Sequence, residues 1–452
     1  MRSAPGRLSL FDATMLVMGG IIGVGIFFKP HELAAIVPEP GPYFGMWLVG
    51  ALAALAGAMT FAELAGTFPE TGGWYVFLRR GFGGFPSFLF AWVVLLVVST
   101  GACAGVADFG AAQIEASLGL EADHGRRRAI AAGLVVAITG LALAGIKASA
   151  VFQNLCMLAK LLAIAVFVFA GLAFFSDPEP AARAVAAAPT SPLGSRMVRA
   201  TLPVLFTFGG WQLVTYVAPH VRDPQRNLPR ALVLGMAGVV VVYLLLNAAY
   251  VRVLGTATLA AETDVASLLA RRTLGEGGAR FLAIAMAVSA TGFLVATIFT
   301  TPGIYVAMAR EGLFLRAVGR VSPRTGAPSV ALLVQMVVCL SYLGFSGDVR
   351  SQLGDSVVFA EWICHGLVAL ALLHLRRTRR DLPRPFKSPV YPLFPLLYLV
   401  VATGVVVGNL VLKETDVTLL GLAVLGVGAV VYVPWRRVAD ARRDGASLTD
   451  RP

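Results

Sequence analysis

Apolar residues recur along this chain in runs of about 20, the length a helix needs to cross a hydrocarbon core about 30 Å thick. Pro, Gly and charge clusters mark their limits. They predict twelve spans, at 9–36, 42–66, 85–112, 129–147, 150–175, 199–221, 231–254, 279–309, 328–346, 351–375, 393–412 and 416–434. The expected fold is therefore an all-α integral membrane protein, a single transmembrane domain over 1–434. Residues 176–195, rich in Ala and Pro, read as an outer linker, and residues 435–452 as a polar tail.

Two spans carry a second pattern. The first contains GGIIGVGIFFKP, with Gly19, Gly20, Gly23 and Gly25 inside an apolar run. Glycine costs about 1 kcal/mol relative to alanine in a helix interior, so the span is expected to unwind near Gly23. The sixth contains Phe208-Gly209-Gly210-Trp211. Corresponding members of two five-span halves, 9–175 and 199–375, are thus both interrupted by glycine, with 393–434 left as two extra helices. Such a pair points to a transporter site built on inverted repeats. Unwound backbone in a membrane must face protein or a watery cavity. The half-helix after the first break offers free N–H groups and a positive dipole end to a carboxylate. The second break frees carbonyls that accept from an ammonium. The alternative role for the glycines is close packing between helices, as in small-xxx-small patterns.

Composition agrees with a membrane protein: 57% of the 452 residues are hydrophobic, 14% are charged, and the mean hydropathy is +0.78. The net charge of +12 does not indicate nucleic acid, because the arginines cluster between apolar runs and form no stripe with interleaved aromatics. Positively charged loops stay cytoplasmic. Placing both termini in the cytoplasm puts the basic loop at 376–387 inside, while Arg126, Arg127 and Arg128 count against that orientation. Cys103, Cys156, Cys339 and Cys364 fall inside apolar spans and read as packing residues. No metal-ligand spacing, HExxH, G-x-S-x-G or dinucleotide fingerprint is present, so a membrane-embedded enzyme is disfavoured and no cofactor is expected.

GGIIGVGIFFKP, AELAGTFPETGGWYVFLRRGFG at 62–83, LFTFGGWQ at 205–212 followed by RDPQRNLPRAL, and MAREGLF at 308–314 together resemble the amino acid, polyamine and organocation permeases. Within these, the L-type amino acid transporter branch is most similar. The resemblance implies twelve helices, ten of them in a five-plus-five inverted repeat with helices 1 and 6 unwound. It implies that a substrate carboxylate meets the N–H groups of Gly23, Val24 and Gly25, that its ammonium meets the carbonyls of Ile21, Phe206, Thr207 and Gly209, and that Phe206 gates the site. The implied function is sodium-independent exchange, or proton-coupled transport, of neutral L-amino acids. A cationic amino acid or polyamine permease and a transport-dead sensor remain alternatives; the cationic reading calls for acidic residues near the pocket, and neither break contains one.

Departures from the family pattern carry information. Val24 stands where the family usually has serine, His220 where a glutamate is common, which touches the inner gate, and Gln212 where asparagine is frequent, beside the pocket. Trp211 follows the break directly and is a candidate to line the cavity, whereas Trp47 and Trp92 read as packing residues. Related animal transporters join a glycoprotein subunit through a cysteine between spans three and four. Residues 114–128 contain none, so no disulfide-linked partner is expected; substrate and lipid bilayer are the expected partners. Arginine in excess of lysine suggests a GC-rich bacterium, hence its cytoplasmic membrane.

Charged groups within spans are functional hypotheses by default. Lys160 aligns with a span-five lysine of many sodium-independent members, where it acts as a proton carrier or as a fixed ammonium tying span five to the unwound carbonyls of span one. Glu361 and His365 lie four apart on one helix face. Asp108 and Glu63 read as structural. The elbow at 222–227 reads either as pairing with Glu311 or neighbouring loops when an inner gate closes, or as a solvated face.

Overall fold

The computed structural model describes residues 8–174, 191–344, 347–412 and 421–437. Most of the expected linker (176–190), the start of the twelfth span (416–420) and the tail beyond 437 lie outside these residues. Among the described residues every regular element is a helix, apart from one parallel bridge between Leu8 and Val221. Six helices among the described residues are long and apolar enough to cross a membrane, seven when one bent pair counts as a single span.

That bent pair is the predicted break. α1 (Leu10–Ile21) starts on a capping box in which Ser9 and Asp12 satisfy each other's backbone amides. It stops at Ile22, and α2 (Gly25–Ile36) resumes at 44° to it. Then follow α3 (Pro40–Thr67), α4 (Trp74–Phe82), α5 (Gly84–Ser117), α6 (His124–Ala144) and α7 (Ile146–Phe174). α5 contains a π turn at Val94–Val98. Span six is broken as expected, yet its second half is not a regular half-helix. α8 (Leu193–Thr207) gives way to five non-helical residues, then only α9 (Leu213–Tyr216) and a 3-10 turn at Ala218–His220. Pro219 explains the failure, since it cannot donate to a helical ladder.

The second half continues through α10 (Pro224–Ala261), α11 (Val265–Leu274), α12 (Glu276–Arg310), α13 (Ser329–Leu343), α14 (Gly347–Thr378) and α15 (Leu393–Leu412), with a last helix over 421–437. α4 and α11, of 9 and 10 residues, are too short to span and were not expected. The arginine run 126–128 sits in the first turn of α6 instead of in a loop. Asp123 caps that turn, accepting from the Arg126 amide at 2.6 Å, and Glu115 accepts from Arg126 and Arg127 at 2.9 and 3.1 Å. α5 packs along α12, α3 along α10, and α1 against α10 and α7.

The two breaks touch backbone to backbone. A Cβ on Gly20 would lie 2.5 Å from the Gly210 carbonyl oxygen, and one on Gly210, whose φ is +103°, would fall within the radius of Gly20 O. Gly19 meets the Gln153 side chain equally closely. Gly23 and Gly25 are different: Cβ atoms there would make ordinary contacts at 3.6 Å with Phe293 and Phe206. Packing explains the first two glycines of the run but not the last two.

Charged clasps close the end of the bundle that carries Leu8. Buried Glu63 accepts from Arg376 through both oxygens, at 2.7 and 2.6 Å, and from the Ser388 amide at 2.7 Å; Arg384 stands 3.5 Å away. Glu311 accepts from Arg79 Nε at 2.8 Å. Leu8 donates to the His220 carbonyl and accepts from the Arg222 amide, both at 2.9 Å. All four cysteines are free and buried, as expected of packing residues.

Glu63→Ala strands two arginines and is expected to cost about 3–5 kcal/mol, whereas Glu70→Ala, which breaks an exposed pair with Arg80, should cost less than about 1 kcal/mol. Thermal unfolding in detergent measures both, and equal Tm values would remove the clasp from the account of stability. By the same measurement Gly20→Ala should destabilise by about 1–3 kcal/mol through overpacking, and Gly25→Ala should not.

Candidate substrate-binding site

At the first break the chain leaves α1 through Ile22, Gly23 and Val24. Gly23 N donates back to Ile21 O at 2.7 Å, so this amide is already used. The next three amides, of Val24, Gly25 and Ile26, donate to no described backbone carbonyl. They are the first N–H groups of α2, aligned with the positive end of its dipole. Val24 is the N-cap residue, and its isopropyl group supplies no capping acceptor. Where a serine would compete for these amides, the valine leaves them open.

The carbonyls freed at the same place have found partners. Lys160, buried in α7, donates from Nζ to Ile22 O. Ser289 of α12 donates to Gly23 O at 3.1 Å. The Tyr243 hydroxyl of α10 lies 3.1 Å from Ile21 O and 3.0 Å from Thr207 O, spanning the ends of both broken helices. A hydroxyl has one proton, so it donates to one of these carbonyls at a time. Neither Tyr243 nor Ser289 stood out in the sequence. Each hydroxyl in an apolar run signals that a partner is needed, but not which one.

At the second break Phe206 O accepts from Gly209 N at 3.3 Å, and no described backbone amide donates to Gly209 O. Gly209 is exposed. Phe206 is 52% exposed, its ring against Gly25 and beneath Lys29, whose Nζ is 5.1 Å from the ring centroid. The fold thus brings the two breaks side by side, Gly25 against Phe206 and Thr207, and Ile21 and Thr207 on the Tyr243 hydroxyl, with Gly23, Val24 and Gly209 in the same two non-helical stretches. Trp211 is buried instead, its ring packed edge-on against Phe61 at 4.6 Å. Gln212 is buried too, its Oε1 accepting from Gly210 N at 3.1 Å and its Nε2 donating to Glu361 at 3.3 Å. It braces the break from behind. His220 lies beyond α9 at the Leu8 end, away from the break, its carbonyl bonded to Leu8.

The site is sealed on one side only. Residues 211–218 are all buried toward the Leu8 end, whereas Gly23, Val24, Gly25, Phe206 and Gly209 keep accessible surface. At the opposite end a cavity of about 720 Å³ opens between Phe28, Phe109, Gln113, Asp264, Arg271 and Met286. Met286 is one helical turn from Ser289, so α12 connects this mouth to the first break. There also Arg196 donates to both oxygens of Glu39, at 2.9 and 2.7 Å, and these hydrogen bonds hold the Glu39 carboxyl below its usual pKa. Among the described residues no group of His, Cys, Asp and Glu is arranged to hold a metal.

The sequence profile of the family described as Amino acid permease matches residues 8–430. The chain is 27% identical over 409 residues to the b(0,+)-type amino acid transporter 1 of Mus musculus, covering 90% of this chain and 82% of that one. It is 28% identical over 435 residues to the Large neutral amino acids transporter small subunit 2 of Homo sapiens, covering 94% and 79%. These relatives are transporters and not enzymes. With two broken spans in backbone contact and a family match along nearly its whole length, the chain belongs to the amino acid permeases of the amino acid, polyamine and organocation superfamily, in agreement with the L-type branch.

Proposed function

We propose that this protein moves neutral L-amino acids across a bacterial cytoplasmic membrane by alternating access, as a sodium-independent exchanger. The observation that carries the reading is the juxtaposition of the open amides of Val24 and Gly25 with the open Gly209 carbonyl of the second break, which supplies a carboxylate end and an ammonium end. A zwitterion satisfies both at once. The names of the relatives, one of them a transporter of large neutral amino acids, favour the same substrate class.

In this reading the chain has twelve spans, with 9–175 and 199–375 as inverted repeats and 393–434 as two added helices, forming one domain over 1–434. Equivalent packing supports the repeat: α3 lies on α10, α5 on α12, and the broken α1–α2 pair meets the broken span six. The Leu8 end is cytoplasmic, consistent with the basic residues Arg79, Arg376 and Arg384 in its clasps. The state described is then open outward, with Phe206 poised over the site and His220 in the closed inner gate. Lys160 acts as a fixed ammonium in place of a sodium ion, since it and Ser289 already occupy the carbonyls that an ion would use. No disulfide-linked partner subunit is needed.

The test uses purified protein in liposomes. Uptake of radiolabelled alanine, serine and leucine should require internal amino acid and be indifferent to a proton gradient. Gradient-driven uptake into empty liposomes would replace exchange by proton coupling, and absence of uptake would remove the transport reading. Gly25→Leu places a bulky side chain among the open amides and should weaken substrate affinity at least about tenfold, or about 1.4 kcal/mol, in competition binding with little change in Tm. Lys160→Ala should abolish exchange without creating a proton dependence; a proton dependence that vanishes with this lysine would make it a carrier instead.

A further inference from the structure

Phe206 and Phe208 stand two positions apart at the end of α8 and are held in different ways. The Phe208 ring is buried against Trp47 and Tyr243, with centroids 6.1 and 5.1 Å away. The Phe206 ring keeps its exposure and rests on α2. Two of its carbons are 3.6 and 3.7 Å from where a Gly25 Cβ would stand, and the Lys29 ammonium lies over the ring, 5.1 Å from its centroid. Gly25 and Lys29 are four residues apart and so share one face of α2. The residue without a side chain admits the ring, and the one with a long cationic side chain covers it.

The ammonium is itself fixed. Glu32, three residues on, accepts from Lys29 Nζ through both oxygens, at 2.6 and 2.7 Å. On an exposed helix face such a pair contributes little to stability. Here the carboxylate keeps the ammonium from turning into solvent and leaves it over the ring, whose negative face attracts a cation. α2 is a firm mount for this arrangement: Phe28, beside Lys29, packs edge-on against Phe109 of α5 at 5.4 Å, and His31 Nδ1 lies 2.9 Å from the Leu259 carbonyl oxygen of α10. Phe206, by contrast, is the penultimate residue of α8, beside the non-helical stretch, and its ring can turn without unwinding a helix.

We propose that Lys29 is a positioning residue for Phe206: its ammonium holds the ring on the Gly25 face and so opposes the swing that closes the ring over a bound ligand. The inference rests on the reading of the two breaks as an amino acid site gated by Phe206. Held in this way, the open position is favoured by the strength of one cation–ring contact, which a ligand must overcome on closing and which assists reopening. Loss of the contact makes closure easier and reopening slower, so affinity rises while turnover falls.

The experiment measures leucine binding by calorimetry in detergent and leucine exchange in liposomes, for the wild type, Lys29→Met and Lys29→Arg, with binding repeated in the Phe206→Leu background. Methionine keeps an unbranched stem and loses the charge, whereas arginine keeps a cation that can lie flat on the ring and pair with Glu32. The expected result for Lys29→Met is a fall of about two- to fivefold in leucine Kd and KM, with kcat falling by a similar factor and kcat/KM nearly unchanged. Lys29→Arg is expected to behave as the wild type, and Lys29→Met to leave Kd unaltered in the Phe206→Leu background. A packing defect alone would lower kcat without lowering KM. Unchanged Kd and KM in Lys29→Met overturn the proposal, as does an equal shift in the Phe206→Leu background or a failure of Lys29→Arg to match the wild type. If Lys29→Met does not fold, Lys29→Gln takes its place with the same expectation. A wild type that neither binds nor exchanges leucine overturns the amino acid site itself, an outcome distinct from a competent transporter indifferent to Lys29.

Discussion

A helix interrupted within a membrane frees backbone groups that lipid cannot satisfy, and the structure is arranged around that constraint. At the first break Lys160, Ser289 and Tyr243 arrive from three other helices to take up the released carbonyls. The amides are left open. This asymmetry gives the break its chemistry: donors remain for an anion, and acceptors have mostly been consumed. At the second break the balance is reversed, because Gln212 engages the Gly210 amide while the Gly209 carbonyl stays open. The polarity of the site is set less by the residues that line it than by which backbone groups their neighbours have silenced.

The breaks themselves were legible, because clustered glycines weaken an apolar helix and here do so at corresponding places in the two halves. The residues that complete them were not. Tyr243 is separated from Ile21 by more than 200 positions, and nothing in the local pattern of α10 aims its hydroxyl at two carbonyls at once. Trp211 invited the opposite error. Adjacency to a break suggests a cavity wall, but Phe61 and Tyr398 enclose the ring from spans remote in sequence. Hydropathy found most spans and missed α4 and α11, whose polar faces and short lengths place them outside any membrane-span template. The helical placement of 126–128 likewise turns on a single capping bond from Asp123.

Charge is used in two ways. At the Leu8 end carboxylates and guanidinium groups are matched, some with the fork geometry that fixes orientation as well as distance. Arg376 further lies over the Tyr391 ring, 3.9 Å from its centroid, so the clasp is also packed. Within the bundle the ionisable groups have fewer partners and more specific surroundings. His365 is enclosed by Trp74, Trp362, Phe61 and Tyr398, a rigid aromatic setting that fixes the face of α14 on which Glu361 is carried.

The contact between Gly20 and Gly210 has a mechanical consequence. Side chains between two helices can change rotamer and absorb a displacement, but here main chain meets main chain, with no Cβ on either side. A shift of one broken span is therefore transmitted to the other without slack. The two broken spans are tied there at a shared fulcrum, set by the absence of two methyl groups.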